Sequence, residues 1–172
     1  MITDKAIESV PKVEINGFTD EQNVFIQKQH KELLKYSRDN NENKEVAFVF
    51  KSDLTNKTIF IGSDDVIEFG NGLMGKGDNL FVMHNHPRNS SFSKTDIDEF
   101  INSLIKSLSI VKNNGEVVVI TKTGAYDFRS AFIAKQRHIS KYIVNKTEEE
   151  YNIFVDKLLK YYEKKGMVKW IR

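Results

Sequence analysis

The chain has 172 residues, 40% of them hydrophobic and 29% charged, with a formal charge of +2. That length suits one domain with a real core and would cramp two, and so small a charge does not call for a nucleic-acid partner. With no cysteine, disulfides, thiolate-bound zinc and a thiol nucleophile are excluded, so any metal must be held by His, Asp or Glu. No stretch reads as a signal peptide or a membrane-spanning helix, and the expected location is the cytoplasm.

Residues 1–17 are weakly patterned, contain Pro11 and Gly17, and read as an N-terminal arm or linker ahead of a domain over 18–172. Thr19-Asp20-Glu21-Gln22 forms a capping box that opens a helix to about Tyr36, with Phe25, Ile26, Leu33 and Leu34 at helical spacing. The polar run from Ser37 to Lys44 ends it, and His30 falls on its polar, exposed side. From Glu45 the period becomes that of strands, and EVAFVFK, a turn over 52–56 and KTIFIG make a hairpin. The passage FGNGLMGKGD, with glycines at 70, 72, 75 and 77, lacks the Gly-Lys-Ser/Thr ending of a phosphate loop and reads as a connecting loop.

Leu80–His86 is a strand. Ser93 to about Leu108 is expected to be helical, because Ile97, Phe100, Ile101, Leu104, Ile105 and Leu108 form an apolar stripe. EVVVIT is the run with the strongest strand preference and is expected to be central and covered on both faces. Thr123-Gly124 then turns the chain into AYDFRS, expected as its hairpin partner. Helices follow over 131–144 and then, capped at Thr147 with Glu150 at N3, as far as Lys165, and Val168, Trp170 and Ile171 form a terminal strand or a clamp on the core. The expected class is α+β, one mixed sheet flanked by helices.

The chemistry concentrates in LFVMHNHPRNSSFSKTDIDEF, residues 80–100. Strand residues i and i+2 share a face, so His84 and His86 point the same way. Ser93 and Asp96 read as the N-cap and N3 residues of the next helix. Taken together, two imidazoles and a carboxylate at the start of that helix converge, leaving a fourth position for water: the pattern of a three-ligand catalytic zinc. Asp98 is the alternative carboxylate if the helix starts later. His138, in a basic helix, is expected at the surface.

His84-Asn85-His86-Pro87 followed by Ser93-Lys94-Thr95-Asp96 resembles the His-x-His-Pro…Ser-x-x-Asp signature of JAMM/MPN metalloproteases, and the His-Asn-His-Pro spelling is nearest the RadC-like branch. The stretch from Thr19 to Phe128 is also similar to the JAB/MPN-type domain at the end of some phage head-morphogenesis proteins, which would place the protein in a host cytoplasm. The turn Pro87–Phe92 is one residue shorter than in the isopeptidase branch. The resemblance implies a JAB/MPN (cytidine-deaminase-like) fold and one Zn2+ per chain held by His84, His86 and Asp96. It further implies Ser93 on the oxyanion and an upstream glutamate as general base. Glu45 matches that glutamate in type and position, with Glu42 and Glu68 as alternatives. The implied activity is hydrolysis of an amide bond in a protein or peptide substrate. The competing expectations are a non-enzymatic phage structural or scaffold module and a nucleic-acid-associated protein.

Overall fold

The computed structural model describes residues 1–64, 67, 69 and 79–172. Glu68 and the glycines at 70, 72, 75 and 77 lie outside these. The elements run α1 (Asp4–Ser9), α2 (Asp20–Asn40), β1 (Val46–Lys51), β2 (Thr58–Ile61), β3 (Leu80–His86), α3 (Lys94–Asn102), β4 (Ile105–Lys112), β5 (Val117–Lys122), α4 (Phe128–Tyr142), α5 (Glu148–Lys164) and β6 (Val168–Ile171). The strands form one six-stranded mixed sheet in the order β2-β1-β3-β4-β5-β6. β3 and β4 pair in parallel, and every other pairing among the described residues is antiparallel. The class is therefore α+β.

Each face of the sheet has its own core, because alternate strand residues point to opposite sides. On one side Phe48, Phe50, Phe81 and Met83 pack under Ile26, Leu33 and Leu34 of α2. On the other, Val49, Val82 and Ile110 meet Ile97 and Phe100 of α3 and Phe154 and Leu158 of α5. β5 is covered on both faces as expected, but it lies next to the edge strand β6, and β3 and β4 hold the centre.

Four expectations change. The helix after Ser93 ends at Asn102, and residues 105–112 form β4 instead. Ile105 and Leu108 fit a helical stripe equally well. However, the Ile-Lys-Ser-Leu-Ser-Ile-Val-Lys run is buried on both faces as the parallel neighbour of β3. AYDFRS does not pair with β5, whose second partner is β6. There Asp127 accepts a hydrogen bond from Ser130 N at 2.7 Å and caps α4, so the helix begins at Phe128.

Residues 1–17 are not a detached arm. Ile2, Ile7, Val10 and Ile15 are buried in the α2-side core, and α1 packs on α2. The closeness is set by Gly115 in the β4–β5 turn, whose φ is +94°. A Cβ there would lie 2.6 Å from Ser9 Oγ and would strike the Ala6 carbonyl oxygen. Gly115→Ala combines a left-handed backbone with a backbone clash, and is expected to cost about 2–4 kcal/mol in urea unfolding.

His30 is fully buried rather than exposed, and its Nε2 meets Ser109 Oγ of β4 at 2.7 Å. Burial pushes its imidazole down to about 3. Above its ordinary value of 6.5 it is neutral in both folded and unfolded chains and adds no pH dependence. Between about 6.5 and about 3 only the unfolded chain takes up the proton, so stability falls by roughly 1.4 kcal/mol per pH unit. Below that range the loss is complete. His30→Gln is expected to flatten this slope in urea titrations between pH 6.5 and pH 4; parallel curves for the two proteins would contradict it.

Candidate metal centre

β3 carries the site because its two faces differ. Phe81 and Met83 sit in the α2-side core, so Val82, His84 and His86 face the α3 side. α3 starts directly over that end of the strand, because Ser93 and Asp96 form a reciprocal capping box. Ser93 Oγ accepts from Asp96 N at 3.1 Å, and Ser93 N donates to Asp96 Oδ2 at 2.6 Å. The box is more than helix furniture. It fixes the Asp96 side chain with its carboxylate turned toward the histidines.

The three side chains converge. His84 Nε2 lies 3.0 Å from Asp96 Oδ1, His86 Nε2 lies 3.5 Å from Asp96 Oδ2, and the two Nε2 atoms are 2.8 Å apart. One donor atom from each residue falls within 4.8 Å of the others. Tetrahedral bonds of about 2.0–2.1 Å to zinc imply donors roughly 3.3 Å apart, so these spacings suit a single ion. Two imidazoles and a carboxylate are also a donor set that zinc accepts. Asp98, the alternative carboxylate, is turned away and pairs with Lys94 and with Lys135 at 2.9 Å.

The remaining ring nitrogens differ. His86 Nδ1 is held by Ser90 Oγ at 2.9 Å and lies 3.2 Å from the Ser90 carbonyl oxygen, the kind of outer contact that orients a ligating imidazole. His84 Nδ1 is buried with no hydrogen-bond partner among the described residues.

Burial pushes the His84 imidazole down, and the neighbouring Asp96 only partly offsets this. Burial also acts against protonated His86, but Asp96, Glu45 and Ser90 together raise it above its ordinary value. Burial opposes ionisation of Asp96 too. Contact with both imidazoles outweighs it and holds that carboxyl well below the usual range. The metal-free cluster is thus an ionised carboxylate, a neutral His84 and a His86 that keeps its proton to higher pH. Metal binding must displace that proton, so affinity should fall on acidification.

Glu45 immediately precedes β1. Ala47 pairs with His84 in the antiparallel β1–β3 ladder, and continuing that register sets Glu45 opposite His86. Glu45 is buried, and its Oε1 lies 3.8 Å from His86 Nε2, beside the donors and not among them. Glu42, one of the alternatives, is exposed, has a positive φ and pairs with Lys44 at 3.3 Å.

His84, His86, Asp96 and Glu45 line a cleft of about 600 Å³ together with Ser93, Glu99, Glu148 and Tyr151. The wall from α5 is invisible to local sequence reading, since only tertiary packing brings its N-terminus here. Glu99 was detectable in principle, being one helical turn from Asp96 and on the same side of α3. Burial, with the nearby Asp96 charge, pushes its carboxyl up to about 7. Ser90 carried no local signal beyond its place in the turn.

No family model matches the chain, and no curated protein or solved structure matches it significantly. Functional assignment therefore rests on the site's own geometry and on the motif. No helix among the described residues is long and apolar enough to cross a membrane.

Proposed function

We propose that this chain is a zinc-dependent metallohydrolase of the JAMM/MPN type, with a JAB/MPN fold, that cleaves an amide bond in a protein or peptide. The observation that carries this reading is the convergence of His84, His86 and Asp96 in the lining of a cleft, with the Glu45 carboxylate alongside. A zinc ion bound there would supply Lewis-acid polarisation of the scissile carbonyl and acidify the nucleophilic water toward neutrality.

The chain's own groups account for the rest. His84 Nε2, His86 Nε2 and one Asp96 oxygen would hold the ion, with His86 steered by Ser90 and Asp96 by the capping box. Glu45 Oε1, 3.8 Å from His86 Nε2, would take a proton from water and hand it to the departing amine nitrogen. Ser93 Oγ accepts from the Asp96 amide, which leaves its own proton to donate to the developing oxyanion. The burial of Glu45 and of both histidines keeps bulk water from weakening these interactions.

The test is metal content. Purified protein is expected to carry about one zinc per chain, to lose it to a chelator and to regain it on dialysis against zinc. Protein that takes up no zinc under those conditions would overturn the proposal.

A further inference from the structure

Asn85, the residue between the two histidines, points to the opposite face of the sheet and is completely buried. Its side chain is used in full. Oδ1 accepts from Val46 N at 2.8 Å, and Nδ2 reaches Lys44 O at 3.2 Å, Ser37 Oγ at 3.2 Å and Asn113 Oδ1 at 2.9 Å. Lys44 and Val46 are the two chain neighbours of Glu45. One amide group thus grips the backbone on both sides of the glutamate.

This grip stands where the sheet's own hydrogen bonding stops. The β1–β3 ladder runs from Lys51 paired with Leu80 to Ala47 paired with His84 and goes no further. Beyond it, Val46 N turns to the Asn85 side chain instead of a backbone carbonyl. On its other side the Glu45 backbone is tied to the strand end after β2, through Ser63 O at 3.2 Å and Gly62 N at 2.9 Å. The bracket is itself braced. Ser37 Oγ donates to Lys44 O at 2.7 Å, Asn113 Nδ2 donates to Asn43 O at 3.1 Å, and Asn113 N donates to His86 O at 3.2 Å.

We infer that Asn85 is a positioning residue that sets the Glu45 carboxylate at its distance from the histidine pair. The inference rests on the reading of Glu45 as the proton acceptor of a zinc site. His84 and His86 flank Asn85 covalently, and Lys44 and Val46 flank it through hydrogen bonds, so a single side chain links the ligand strand to the base. A small polar residue serving only to fill the core would need none of this two-sided contact. An apolar residue here would leave the Val46 amide and the Asn113 carbonyl without these partners.

The test uses zinc-loaded full chain and acetohydroxamate, a metal chelator whose acidic proton a neighbouring carboxylate can accept. Zinc affinity is measured separately by chelator competition. Glu45→Gln is expected to weaken acetohydroxamate binding by about tenfold, the scale of losing one charge-assisted hydrogen bond. Asn85→Ala is expected to weaken it by roughly three- to tenfold while zinc affinity stays within about threefold of wild type. The double variant is expected to bind no more weakly than Glu45→Gln alone, because Asn85 acts through that carboxylate. If Asn85→Ala weakens binding equally with and without the Glu45 carboxylate, or not at all, the inference is overturned while the base assignment survives. If Glu45→Gln itself changes nothing, both fall. Should Asn85→Ala not fold, Asn113→Ala loosens the same bracket from its far side. It is expected to show the same non-additive pattern at smaller amplitude, and additivity there overturns the inference equally.

Discussion

Asp96→Asn is expected to remove most of the zinc affinity while leaving α3 in place. The amide is nearly isosteric and can still accept from Ser93 N, so the capping box that orients position 96 survives. What disappears is the negative charge facing His84 Nε2 at 3.0 Å and His86 Nε2 at 3.5 Å. Two neutral imidazoles alone hold zinc far more weakly than a three-ligand set, and a loss of at least about 100-fold in affinity is expected. Wild-type chain in zinc at 100 times its dissociation constant gains about 2.7 kcal/mol, or roughly 5–11 °C in Tm for a chain of this size. Asp96→Asn should show no such shift, and Asp98→Asn, which removes the Lys94 and Lys135 ion pairs, should keep it.

Metal-free stability adds a second signature with a definite sign. The Asp96 carboxyl is held well below its ordinary value of 3.8. Its contribution is therefore present above that value and is lost as pH falls toward the depressed one. Asp96→Asn removes the contribution, so the variant should be less stable than wild type near neutrality and converge with it at low pH. Metal-free samples compared by urea unfolding from pH 7 downward would show this, and a constant difference across that range would contradict it.

The site was legible because its parts lie close together in the chain. A period of two puts His84 and His86 on one face, and a capping box fixes where the next helix starts, so both facts are local. The α2 cap at Thr19 and the β1–β2 hairpin were legible for the same reason. Residues 105–112 were not, because burial on both faces erases the alternation that marks a half-covered strand, and their partner β3 is recognised only in space. His30 was misjudged on the same ground. Its helix position looks polar until Ser109, 79 residues on, supplies a partner. The seating of α1 near the β4–β5 turn involves a close approach of Ala6 and Ser9 to Gly115, which no pattern within residues 1–17 reveals. Local reading thus found the converging trio but missed much of what braces it.

Glu45→Gln separates an enzyme from a scaffold built on the same fold. The glutamate lies 3.8 Å from His86 Nε2 but is not one of the three converging donors, so zinc content should stay at about one per chain. The amide keeps the shape of the carboxylate and can no longer accept a proton. If Glu45 is the general base, the rate of amide cleavage should fall by about 10²- to 10⁴-fold at unchanged metal occupancy. The comparison is also protected against a trivial cause. Glu45 is fixed through its backbone by Ser63, Gly62 and the Asn85 grip on its neighbours, and none of these bonds uses the side-chain carboxylate. A loss of rate with intact zinc content and an unchanged unfolding midpoint therefore isolates proton transfer. A scaffold gives the opposite result: Glu45→Gln is silent in every assay, whereas His84→Ala, which strips a ligand from the buried cluster, lowers stability under either reading. The two outcomes exclude each other, because only a catalytic site distinguishes a proton-accepting carboxylate from an amide of the same shape.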